Sequence, residues 1–261
     1  ALPNVIVTPH RGASTREAQD KAGTTVAEMV RLALKGEFVP YAVNVSADAE
    51  VSEVVRPFVG FAERLGAMAA GLAEGGVRSV VASYLGRIAE SDTRVLTLAI
   101  LKGILGRAVH EPVSFVNAPM LARERGLSVS EMRSTVSQDY VSLIGVRADT
   151  DDGPVSLEGT IVGRQAERVV SVNGFDIEVA PAPNMVFFTY RDRPGVIGTV
   201  GTFLGAQGIN IATMDVGRTG EEGRMEALMC LTVDTVVPPE VLDEIARGIE
   251  ATRVRAFSLP T

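Results

Sequence analysis

One turn constrains this chain more than any other feature, Asp192-Arg193-Pro194-Gly195-Val196-Ile197, because it joins two segments of different hydrophobic period. Before it, Met185 to Tyr190 is an apolar, β-prone run. After it, apolar residues recur at helical spacing, Val196/Ile197, Val200 and Phe203/Leu204, until Gly208 offers a left-handed stop. Asp192 stands where it caps a helix beginning at Pro194. A strand is expected from Ile209, a polar glycine-rich loop over 217–223, and a strand from Met225 to Asp234 with Ala227, Met229, Leu231 and Val233 on one face. Pro238-Pro239 then opens a helix carrying Val241/Leu242, Ile245 and Ile249, and Val254 to Phe257 closes as a strand. The order β-α-β-β-α-β is the ferredoxin-like arrangement, an antiparallel sheet with both helices on one face.

The atoms of the turn suggest a ligand. The start of a helix offers unpaired backbone N–H groups and a positive dipole end, which suit a carboxylate. Asp192 and Asn210 supply acceptors for an ammonium group. Together these demands describe a free amino acid.

The D-x-P-G-V-I turn followed one helix later by Gly208-Ile209-Asn210-Ile211 resembles an ACT domain, over Asn184 to about Leu259. The resemblance implies two such domains paired edge to edge, with an effector amino acid held between the turn of one and the strand of the other. By position, Tyr190, Asp192 and Asn210 would hold it, together with the backbone of Pro194, Gly195, Val196 and Ile197. Many relatives carry His and Asn where this chain has Tyr190 and Asp192.

The 261 residues, 46% hydrophobic and 22% charged, suffice for two domains of an ordinary globular chain. A net charge of −7 without a basic stripe argues against nucleic acid as the main partner. The single cysteine, Cys230, reads as a buried small hydrophobe in a strand. No apolar run reaches transmembrane length and no signal-peptide order opens the chain, so a cytoplasmic location and no membrane partner are expected. His110 has no neighbours at ligand spacing, so no metal is expected.

At the other end, a β-branched strand over Leu2–Thr8 leads into Pro9-His10-Arg11-Gly12-Ala13. The strand has no preceding partner, as if the chain came from a larger one. Ser14 with Glu17 forms a capping box, and Ala18, Ala22, Val26, Met29/Val30 and Ala33/Leu34 keep a helical stripe up to Gly36. A histidine between a strand end and a capped helix is held for acid–base work. The string T-P-H-R-G-A-S-T-R-E-A-Q resembles the catalytic-histidine segment of D-2-hydroxyacid dehydrogenases, and within them the long form of the D-3-phosphoglycerate dehydrogenase family. The resemblance implies NAD-dependent oxidation in L-serine biosynthesis, His10 as the catalytic proton acceptor, and L-serine as the feedback effector. Dinucleotide binding needs a G-x-G-x-x-G turn between strand and helix, and no two glycines here are separated by a single residue. No cofactor site is therefore expected in this chain, which would be inactive alone, with NAD belonging to the parent enzyme.

Between these ends, Glu37 to Val45 reads as an extended, proline-broken linker. A long helical pattern runs from Val51 to Leu72, Val77 to Leu85 reads as a strand, Thr93 to Val109 as a helix, Val113 to Val116 as a short strand, and Pro119 to Gly126 as a helix. Tyr140–Ala148 with Val155–Val162 suggests a hairpin. A further hairpin flanks Asn173-Gly174, the favoured type I′ turn. The overall expectation is α+β: residues 1–45 as a strand-helix end of a dehydrogenase domain, 46–183 as a mixed α/β domain, and 184–261 as the ACT domain. Position and length of the middle part resemble the intervening domain of that family, an assembly and anion-sensing module, with Arg164 and Arg168 as candidate anion ligands. Effector sites shared between chains imply a homo-oligomer. Two rival readings are a stand-alone amino-acid-binding regulator and a small enzyme that uses His10 without NAD.

Overall fold

A computed structural model describes residues 4–5, 14–39, 51–109, 111–163, 165–220 and 225–259. His10, His110 and Arg164 lie outside them, as does most of the expected linker. Helix α1 (Arg16–Leu34) is capped by Thr15, whose Oγ1 accepts the Ala18 N–H at 3.2 Å, one residue later than the expected Ser14 cap. Its apolar stripe is unpacked, and none of its residues is buried. The chain leaving it is anchored instead, because Lys102 Nζ donates to Gly36 O at 3.0 Å and Phe38 meets the Phe115 ring edge-on.

Helix α2 (Phe58–Leu72) starts at Pro57 and not at Val51, where turns stand. Pro57 explains this, since its ring is tolerated at a helix start and not within one. β1 (Val77–Gly86), α3 (Arg94–Ala108) and α4 (Ala118–Glu124) follow close to expectation. The strand expected at Val113 is a turn, in which Asn117 Oδ1 accepts the Ser114 N–H at 2.6 Å. β2 (Ser128–Ser134) has no counterpart among the expected elements. It runs parallel to β1 and carries no apolar alternation, with almost every residue exposed.

β3 (Ser142–Thr150) and β4 (Gly153–Val162) form the expected hairpin, as do β5 (Ala166–Val172) and β6 (Phe175–Val179). Asn173 and Gly174 have φ of 51° and 80°, as a type I′ turn requires. The six strands order as β2-β1-β3-β4-β5-β6, and every pair except β1–β2 is antiparallel. Against this sheet lie α2 and α3, which meet backbone to backbone. A Cβ on Gly66 would stand 2.1 Å from Ile100 O, and one on Gly103 would stand 2.0 Å from Glu63 O.

The second sheet is built from β7 (Asn184–Arg191), β8 (Ile211–Thr219), β9 (Glu226–Val233) and β10 (Ala251–Ser258), in the order β10-β7-β9-β8, all antiparallel. α5 (Val196–Ala206) and α6 (Pro239–Ile249) cover one face, giving the expected βαββαβ unit. α5 ends in a Schellman motif at Gly208 (φ 69°), with Ile209 N–H donating to Leu204 O at 3.0 Å. Ala227, Met229, Leu231 and Val233 do share the helix-facing core.

The other face of this sheet is also buried. Met185, Phe187, Leu228, Cys230, Phe257 and Leu259 join the core of the larger sheet, so the two units pack as neighbours through an apolar seam. Phe257 stacks on Phe187 at 5.6 Å between centroids, lies under the Arg107 guanidinium, and fills the space above Gly71, where a Cβ would stand 2.5 Å from its ring. Around it, Arg107 donates to Ser258 O at 2.7 Å and Arg253 to Leu72 O at the end of α2 at 3.3 Å, while Arg255 pairs with Glu74. Burial in this seam pushes the Cys230 thiol well up, which makes it an inert packing group. Phe257→Ala is expected to cost about 3 kcal/mol. Hydrogen exchange should then rise first in β10 and at the C-terminal end of α2.

Candidate effector site

The turn after β7 forms as a strand end, an open bend and a helix start. Tyr190 leaves β7 toward the helices and is 2% exposed, among Val196, Val200 and Ile249. Burial raises its phenol above the ordinary range and the neighbouring Asp192 charge adds to this, with Arg218 opposing. Its hydroxyl has no hydrogen-bond partner among the described residues.

Asp192 does not cap α5. The cap is Gly195, in the left-handed region at φ 91°, and no side chain closes the first turn. The reason is geometric: Asp192 is still tied to the sheet, its N–H donating to Met225 O at 2.9 Å and its carboxylate meeting Arg218 Nε at 3.2 Å. Arg193 reaches the other way, to Glu250 at the end of α6, at 2.9 Å. Nothing lies within 4 Å of a Cβ built on Gly195, Pro194 and Gly195 are exposed, and Ile197 is 53% exposed. The first-turn N–H groups of α5 therefore open to one side with the helix dipole behind them, beside a carboxylate whose one charged partner among the described residues is a largely exposed arginine.

Asn210 lies elsewhere. It precedes β8 at the far end of the sheet, where its Nδ2 donates to Asp234 Oδ2 at 2.9 Å and its carbonyl accepts the Asp234 N–H. Met225, level with Asp192, and Asp234, level with Asn210, are nine residues apart on the same extended stretch, about 30 Å. One chain thus brings together Tyr190, Asp192 and the 194–197 backbone, and holds Asn210 away from them. β8 is an edge strand that runs in the same direction as β7, since both are antiparallel to β9. Its far end, Thr219, pairs with Glu226, as does Arg191 beside the turn. Antiparallel pairing of two such edges about a two-fold axis would bring the second chain's Asn210 to the level of the first chain's turn.

Arg218, the partner of Asp192, is not among the residues the sequence singles out, because only the register of β8 on β9 reveals it. Of the candidate anion ligands, Arg168 is described. It faces Glu178 across the β5–β6 pair at 3.4 Å and donates to Glu167 O at 2.8 Å, so its charge is already engaged. Among the described residues no cluster of three or more His, Cys, Asp or Glu is arranged to hold a metal ion, and no helix is long and apolar enough to cross a membrane.

This βαββαβ unit with its open glycine turn, and the six-stranded unit before it, each have a counterpart among known protein families. Residues 184–247 match the ACT domain, and residues 54–173 match the D-3-phosphoglycerate dehydrogenase intervening domain. Curated proteins named D-3-phosphoglycerate dehydrogenase align along nearly the whole chain: that of Mycobacterium leprae at 39% identity over 260 residues (99% of this chain, 49% of the relative), that of Synechocystis at 37% over 246 residues (94% and 44%), and that of Bacillus subtilis at 36% over 259 residues (99% and 49%). Among solved structures, a chain described as a novel type of quorum quenching acylases aligns over 31% of this chain and 32% of its own, at 18% identity and a TM-score of 0.22. The chain spans about half the length of the curated relatives it matches. It belongs to the D-3-phosphoglycerate dehydrogenase family, of which it carries the intervening domain followed by an ACT domain.

Proposed function

We propose that this chain is the regulatory portion of an NAD-dependent D-3-phosphoglycerate dehydrogenase, which oxidises 3-phosphoglycerate to 3-phosphohydroxypyruvate, and that it binds L-serine as feedback effector and mediates homo-oligomerisation. The observation that carries this reading is the open first turn of α5 beside Asp192, in a domain that matches the ACT family. The serine carboxylate takes the N–H groups of Val196 and Ile197. Its ammonium takes Asp192, displacing Arg218, and the side-chain hydroxyl meets Tyr190 and the second chain's Asn210. Gly198, Gly201 and Gly205 on α5 have nothing within 4 Å of a Cβ position, which favours close approach of a second copy's helix to the same edge. His10 belongs to the catalytic cleft of the parent enzyme, and NAD to its nucleotide-binding part. The apolar seam between the two sheets lets a rearrangement of paired ACT domains carry the intervening domain with it. A coupling of about 1–3 kcal/mol suffices for feedback.

Calorimetric titration tests this. L-serine should release or absorb heat with saturation, NADH should give none, and Asp192→Ala should abolish the serine signal. Saturable NADH binding, or serine binding untouched by Asp192→Ala, contradicts the reading.

A further inference from the structure

The larger sheet has two edges, and they are treated differently. β6 is covered by the ACT sheet: Glu178 N–H donates to Asp215 Oδ2 at 2.6 Å, and a Cβ on Gly217 would stand 2.4 Å from Asp176 O. β2, at the other edge, pairs with β1 alone among the described residues. Its outer row of backbone donors and acceptors meets no other strand among the described residues, and Val129 and Met132 are 37% and 52% exposed. An open edge with exposed apolar residues invites another strand, and proteins either block it or use it.

The sequence of β2 indicates use. Ser130-Glu131-Met132-Arg133-Ser134 is symmetric about Met132 except in charge, which is antisymmetric. Glu131 and Arg133 share the helix side of the sheet, where Glu131 accepts the Thr97 hydroxyl at 2.5 Å and Arg133 Nη2 at 2.7 Å. Two antiparallel copies related by a two-fold axis normal to the sheet must place one residue opposite itself. Centring on Glu131 opposes two carboxylates, centring on Arg133 opposes two guanidiniums, and centring on Ser130 pairs Glu131 with Val129. Centring on Met132 alone places Glu131 opposite Arg133 in both directions, with Ser130 opposite Ser134 and Met132 against Met132 on the other face. The edge is thus self-complementary in one register and repulsive in its neighbours.

We propose that β2 is a homotypic interface, pairing antiparallel with β2 of a second copy about a two-fold axis through Met132, so that the two sheets continue into one. This extends the oligomerisation proposed above to a surface separate from the ACT edge, and its test does not depend on serine binding.

In the full chain, Met132→Cys adds a thiol to a protein whose one native cysteine is buried. Directly opposed residues have Cβ atoms about 4.5–5.5 Å apart. Mild oxidation, or a short bis-maleimide, should therefore link most of this variant into dimers. Val129→Cys is the control, since its counterpart in this register lies six residues away along the strand, about 20 Å. Adding Arg133→Glu to the Met132→Cys variant should weaken association, read as the linked fraction, about tenfold or more, by opposing like charges. Equal linking of the Met132→Cys and Val129→Cys variants overturns the proposal. So does a Met132→Cys variant that neither reagent links at concentrations where the chain sediments as an oligomer. Loss of linking with serine binding intact would sink the β2 interface alone.

Discussion

Gly103→Val is expected to destabilise the chain by about 3 kcal/mol, lowering Tm by on the order of 10 °C. Helices α2 and α3 approach so closely at this point that a Cβ on Gly103 would stand 2.0 Å from Glu63 O and 2.7 Å from Ala67 N. Both atoms are backbone inside a helix, so they cannot swing aside as a side chain would. The helices must separate, opening voids around Leu65, Met68, Ile100 and Ile104, all fully or nearly fully buried. Gly106 is the matched control. It lies one turn further along the same helix with nothing within 4 Å of its Cβ position, so Gly106→Ala should stabilise slightly through helix propensity, by up to about 1 kcal/mol. Urea denaturation of both variants checks the pair. Equal effects at the two positions would mean that helix contact does not set the role of Gly103.

Gly103 and Gly106 are equivalent in the sequence, two glycines in one apolar helix, and only the crossing of α3 over α2 separates them. The ACT half is legible because its periodicities are local: the helix stripe at Val196, Val200 and Leu204, the Schellman glycine at 208, and the alternation along β9 all signal through neighbours in the chain. β2 is invisible for the opposite reason. Its polar sequence has no strand period, and it exists because β1 offers it a parallel partner. The Asp192 cap fails for a related reason, since the sheet bond to Met225 and the ion pair with Arg218 hold it back from the helix it was expected to close.

The candidate site is half legible. Tyr190, Asp192 and the glycine turn are contiguous in sequence and remain together in space. Asn210 follows one helix later, and a helix packed along a sheet carries the chain to the sheet's other end. Sequence proximity therefore misleads within one chain, and in the proposed two-fold pair it is the second chain's Asn210 that would restore it.

A site divided in this way has a large and specific consequence. In the proposed two-fold pair each site would take Asp192 from one chain and Asn210 from the other, so Asp192→Ala and Asn210→Ala should each damage both sites. Either variant alone should lose L-serine affinity by about 100-fold, the scale of removing one charged or well-placed hydrogen-bonding partner of a buried ligand. Mixing the two variants creates hybrid pairs in which one site carries both substitutions and the other carries neither. With random exchange about half the pairs are hybrid and about a quarter of all sites are intact.

The measurement to make is serine titration of the two variants separately and after co-refolding at equal concentration. Negligible binding is expected for each alone, and in the mixture a stoichiometry near a quarter of the native value at native affinity. Binding absent from the mixture, or binding retained by Asn210→Ala alone, would contradict a site shared between chains.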